Sequence, residues 1–113
     1  MTVPRLGVVL FPADTMGFAR ALAWAREAGF EGVEIPVSRV LHPDKTTKAT
    51  LADIRRGCAG NGLDVIGCNA AFPFDEGYQM LSPDPAQRRR AVEYLYRVID
   101  NNAEIGGRVV TIG

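Results

Sequence analysis

The chain has 113 residues, the size of one small domain, and its 13 basic residues balance 13 acidic ones. Hydrophobic residues make up 47% and charged ones 23%, the mix of a globular chain with its own core. The neutral balance gives no electrostatic pull toward nucleic acid or an anionic membrane, and no apolar run is long enough to span a bilayer.

The opening MTVPRLGVVLFPAD lacks the long apolar core of a secretory signal. Together with two cysteines, Cys58 and Cys68, in no paired spacing, this predicts a cytoplasmic protein with reduced thiols, without a disulfide framework or zinc site. The first strand is LGVVLF, residues 6–11, apolar throughout as a strand covered on both faces must be. A helix beginning near Thr15 to Gly17 and ending at Ala28 follows. Phe18, Ala21, Leu22, Ala25 and Ala28 form its apolar stripe, and Trp24 lies off it as a helix–helix contact. The second strand is GVEIP, residues 32–36. Alternation puts Val33 and Ile35 on one face and Glu34 on the other. If the apolar pair faces the helices, Glu34 points inward, where a carboxylate needs either an arginine of a neighbouring unit or a substrate.

The loop VLHPDK carries the only histidine, His42, which reads as a solvent-exposed loop residue unable to make a metal site alone. The second helix starts after Thr46 and ends near Asn61, with Leu51, Ile54 and Cys58 on its buried face. Gly57 and Gly60 weaken it by about 1 kcal/mol each relative to alanine. LDVIGC, residues 63–68, is the third strand. Phe72, Phe74 and Tyr78 then make an aromatic loop, a lid over a pocket or a cover on one end of the fold. In SPDPAQRRR, Asp84 caps the third helix, Pro85 suits its first position and Gln87 completes a capping box. The helix runs to about Ile105 with Val92, Leu95, Ile99 and Ala103 buried. Its arginines 88, 89 and 90 spread around the axis as a solvated face, some pairing with Asp84 or Glu93. RVVTI, residues 108–112, is the fourth strand.

Three stretches repeat one design: AGFEGVEI, NGLDVIGC and IGGRVVTI each end a helix on glycine and enter a strand. Gly29, Gly62 and Gly106 lie 33 and 44 residues apart, the size of strand-plus-helix units. Strands joined through helices run parallel with right-handed crossovers. The turn FPADTMG after the first strand lacks a glycine-rich phosphate motif, which weighs against a dinucleotide-binding open sheet. The expected fold class is α/β, a parallel (βα)3β half of a TIM barrel truncated before strand five. It forms one domain over residues 1–113.

The stretches RLGVVLFPAD, EAGFEGVEIPV, GLDVIGCNAAFP and, most specifically, LSPDPAQRRRAVEYLYRVIDNNAEIGGRVVTIG resemble the N-terminal half of xylose isomerase-like TIM-barrel sugar isomerases and epimerases. The pattern is nearest to ketose 3-epimerases of the tagatose and psicose type. The resemblance implies a metal-dependent enzyme of carbohydrate metabolism that epimerises a ketose at C3 by proton exchange between two carboxylates. Its divalent ion, manganese, cobalt or magnesium, is held by two glutamates, an aspartate and a histidine from strands five to eight. This chain is then expected to bind no metal and carry no catalytic base, and to be inactive alone. It contributes the sugar pocket at the strand ends: Phe11 as a packing aromatic, Glu34 as an orienting group, and Gly67, Cys68 and Asn69 beside the sugar. Cys68 has no basic neighbour in sequence to make it a nucleophile. The expected partner is a small-molecule sugar, with self-association through exposed sheet edges as a further expectation. Alternatives on the same scaffold are an inosose dehydratase or a hydroxypyruvate isomerase; outside catalysis, the alternative is a self-pairing half-barrel that binds a ligand.

Overall fold

Strands and helices alternate along the chain in the computed structural model, which describes residues 4–113; residues 1–3 of the expected domain lie outside it. The order is β1 (Gly7–Val9), α1 (Ala13–Met16), α2 (Phe18–Glu27), β2 (Gly32–Pro36), a π-helical turn (Val37–Leu41), α3 (Lys48–Gly60), β3 (Asp64–Asn69), α4 (Pro85–Glu104) and β4 (Val109–Val110). The sheet order is β1-β2-β3-β4 and every neighbouring pair is parallel. A doubly wound sheet reverses its strand order partway; this one does not, so right-handed crossovers keep the helices on one side. The fold is the parallel α/β succession expected of part of a TIM barrel.

β2 keeps its expected bounds, and β3 starts and ends one residue later than expected. β1 and β4 are shorter, but their ladders continue. Leu10 N–H donates to the Glu34 carbonyl at 2.9 Å, and the Arg108 and Thr111 N–H groups donate to the Ile66 and Cys68 carbonyls at 3.0 and 2.9 Å. Gly29, Gly62 and Gly106 have φ of 89°, 65° and 89°, the left-handed helix ends that the repeat predicts. The first helix begins earlier than expected, at Ala13, and is broken at Gly17 into two pieces. Trp24 rests on Phe30 of its own connection, ring centroids 6.0 Å apart, where a helix–helix contact was expected.

The local signals of α4 hold in part. Asp84 accepts from Ala86 N–H at 2.9 Å, with Pro85 in the first turn. Gln87 does not close a capping box. Its side-chain oxygen accepts from the Ser82 hydroxyl at 2.8 Å, and Ser82 Oγ accepts from Asp84 N–H at 3.1 Å, so serine relays the cap. The buried face also differs. Ala91, Tyr94, Val98 and Asn102 turn inward, while Val92 and Ile99 of the expected stripe are exposed. The helix has apolar residues on two faces one position apart. The aromatic loop selects between them by stacking Tyr78 on Tyr94 at 4.1 Å.

Val33, Ile35 and Cys68 of the sheet pack with Ala21, Leu22 and Ala25 of α2, Leu51, Ile54 and Cys58 of α3, and Tyr94 and Val98 of α4. Val9 and Glu34 are partners in register, as are Glu34 and Gly67, and Gly67 and Val109; alternation sets this row on the other face. Between Val33 and Glu34 the β2–β3 register shifts, leaving Ile66 as an extra residue. Ile66 Cδ1 lies 3.0 Å from where a Cβ on Gly32 would stand, and it fills the place of a Cβ on Gly7. Neighbouring strands are about 4.8 Å apart, so on a flat sheet β1 would lie about 9.6 Å from β3. One isoleucine reaches across β2 to β1 because this face is concave. The chain forms an arc, with helices on its outer side.

Candidate functional site

The concave face ends, at the C-terminal tips of the strands, in a small polar group. Glu34, half-buried, accepts a hydrogen bond from the Thr111 hydroxyl at 3.3 Å. A hydroxyl thus partners the carboxylate for which either an arginine of a neighbouring unit or a substrate was expected. Asn69 pairs in register with Pro36, and its side-chain oxygen is buried without a hydrogen-bond partner among the described residues. The next residue, Ala70, has φ 49°, a left-handed conformation costing a non-glycine residue roughly 1–2 kcal/mol. Gly67 is in register with Val109, whose carbonyl oxygen would collide with any Cβ added there, so the strand needs glycine for backbone approach. Phe11 sits in the turn directly after β1 with 52% of its surface exposed.

Cys68 is elsewhere. It pairs with Ile35 and Val110, is fully buried, and belongs to the core between sheet and helices. Burial, with the Glu34 charge adding, pushes its thiol up to about 12, which leaves no thiolate for nucleophilic attack. Of the residues expected at the strand ends, Glu34, Gly67 and Asn69 share the concave rim, Phe11 flanks it, and Cys68 does not line it. Thr111 was overlooked; strand alternation from Val109 would have placed it there.

A second group gathers where the loops after β2 and β3 meet α4. His42, expected to be solvent-exposed, is 2% exposed and presses the edge of its ring against Tyr94 at 5.7 Å. Its Nε2 lies 3.0 and 2.8 Å from the two carboxylate oxygens of Glu76. Asp44 N–H donates to its Nδ1 at 3.1 Å. Arg97 donates to the Asp44 carboxylate at 2.5 Å and holds it below the usual carboxylate range. Arg90 donates to the Glu76 carbonyl at 3.1 Å and covers the Tyr78 ring at 4.1 Å, while Arg88 donates to the Ser82 and Pro83 carbonyls at 2.7 and 3.1 Å. These two arginines bind backbone and ring, where pairing with Asp84 or Glu93 was expected.

His42, Asp44 and Glu76 each offer a ligand atom within 4.8 Å of the others, the one such group among the described residues. The spacing suits a divalent ion; the hydrogen bonds do not. Nδ1 accepts an N–H, so the imidazole proton sits on Nε2, the nitrogen an ion would need. Asp44 is already engaged by Arg97. On the concave rim, Glu34 is the single carboxylate among the described residues and cannot hold an ion alone. The residues described here therefore do not fit the expected ion.

A hollow of about 750 Å³ opens at the opposite, N-terminal end of the strands. Its carboxylates Glu31 and Asp64 are bridged by Arg5 there, so it offers no free acid or base. No helix of the described residues is long and apolar enough to cross a membrane. A protein-family model described as xylose isomerase-like TIM barrel matches residues 22–113. No curated protein matches the chain.

Proposed function

Because the chain belongs to the xylose isomerase-like TIM barrel family, we propose that it supplies the N-terminal strands of a sugar isomerase or epimerase, acting on a ketose at C3. One observation carries the reading beyond the family. Glu34 stands half-buried on the concave face at the C-terminal strand ends, where the Thr111 hydroxyl donates to its carboxylate. That end of a parallel barrel is where substrates bind. A carboxylate acceptor suits the hydroxyl donors of a polyol, and Thr111 holds it in place. Phe11 offers an apolar face to the C–H side of a sugar.

In this proposal the ion and the two proton-exchanging carboxylates are contributed by strands outside the described residues. The chain's own groups bind and orient the substrate. The test is to incubate the full-length gene product with a ketose in deuterated water and locate the label by NMR. Label at C3 with inversion is expected. Label at C1 or C2, or loss of water from the substrate, would assign a different reaction on the same scaffold. Glu34→Gln is expected to raise KM about tenfold with a smaller effect on kcat, as a binding group does.

A further inference from the structure

We propose that His42 and Glu76 form a metal-free catch, fixed in one imidazole tautomer, that fastens the β3–α4 loop to the β2–α3 loop at the C-terminal end of the sheet. The tautomer follows from the turn around His42. Its carbonyl accepts from Lys45 N–H at 3.0 Å and from the Thr46 hydroxyl at 2.6 Å, closing the segment His42 to Thr46. The closed turn aims Asp44 N–H at Nδ1, 3.1 Å away. Nδ1 must present its lone pair, so Nε2 carries the proton and donates it to Glu76. Ligation of an ion at Nε2 would move that proton to Nδ1, facing an N–H, and would open the turn.

Glu76 is held twice. His42 takes its carboxylate, and Arg90 of α4 donates to its carbonyl while stacking on Tyr78. The other charged and titratable groups around the pair are Asp44 and Arg97, which bind one another, and Tyr78 and Tyr94, which stack. The consequence lies in the loop. Phe74 is fully exposed, yet the residues on both sides of it are anchored, Phe72 by stacking on Tyr94 and Glu76 by the catch. An apolar tip in solvent is thereby held in one position at the end of the sheet where the proposed pocket opens. This holds whatever reaction the protein carries out.

His42 is the only histidine, so its ring signals in a long-range proton–nitrogen NMR spectrum are unambiguous. We expect a protonated Nε2 and an acceptor-type Nδ1, unchanged by an excess of manganese, cobalt or zinc. A protonated Nδ1, a mixture of tautomers, or signals shifted or broadened by any of these ions would overturn the proposal. Hydrogen exchange gives a second readout. Glu76→Ala and His42→Ala should each speed exchange in residues 72–78 by about tenfold, and the double variant should add nothing further. His42→Gln, whose amide can still donate to Glu76, should restore protection, whereas His42→Asn should not. Unchanged exchange in Glu76→Ala, a substitution on a half-exposed loop that leaves the core intact, would equally sink the catch.

Discussion

Tyr94 meets both Tyr78 and Phe72 in a three-ring cluster, with its hydroxyl buried and without a hydrogen-bond partner among the described residues. Burial raises the energy of its ionised form, aided by the charge of Glu76, so it stays neutral. A buried hydroxyl left unbonded costs roughly 1–3 kcal/mol. Tyr94→Phe is therefore expected to leave stability unchanged or raise it by up to about 1 kcal/mol, read as a higher urea midpoint at unchanged slope. A clear loss would show that the hydroxyl has a partner such as an ordered water. The thiols obey the same rule of burial. Cys58 is pushed up to about 11 and Cys68 to about 12 from an ordinary value of 9.0. Above 9 the unfolded chain gives up thiol protons that the folded chain keeps, so stability falls as pH rises through the window from 9 toward 12, and the thiols contribute no pH dependence below it. A thiol reagent at about pH 8 should find neither cysteine in the native protein and both after denaturation. Rapid native labelling would show that the core opens there.

Among the elements, α4 shows what a local pattern can and cannot specify. Asp84→Ala should cost about 1 kcal/mol through the lost cap, measured by denaturant unfolding. Ser82→Ala should cost a similar amount although Ser82 precedes the cap, because it links Gln87 to Asp84 N–H. Near-zero effects in both would show that water replaces the relay. The cap was legible because Asp84 and Pro85 act within their own turn. The buried face was not, because Phe72 and Tyr78, which choose it, come from a preceding loop whose conformation is not encoded in helical spacing. β2 kept its bounds because GVEIP is hydrophobic on the helix side and punctuated by Pro36. The π-helical turn that follows has no residue signature in VSRVL, yet it delivers His42 into the interior. His42 misled for the same reason as α4: its partner Glu76 is 34 residues away. At the strand ends, alternation fixed the side on which Glu34 lies, while its pairing with Thr111 awaited the neighbouring strand register.

At the scale of the whole molecule, the arc is broad and thin. Its extents are 47 × 36 × 24 Å and its radius of gyration is 14.8 Å, against about 13 Å for a compact chain of this length. Helices cover the outer side, while Val109 and Ile66 remain partly open to solvent on the inner side and Val92, Tyr96 and Ile99 on α4. Ile66, lying over Gly32 and filling the place of a Cβ on Gly7, makes the curvature a property of three residues on three strands. Those positions are then not free to vary one at a time. Gly32→Ala alone should lose roughly 1–3 kcal/mol through overpacking, and Ile66→Ala alone should lose a similar amount through lost contact. Together they should lose less than the sum, since the smaller side chain vacates the space that the new methyl needs. Strictly additive losses would mean that the isoleucine can swing aside. If the coupling holds, descendants of this sequence can exchange bulk between one strand and another only by paired steps, and an evolutionary record of residue 66 would carry the imprint of residues 7 and 32.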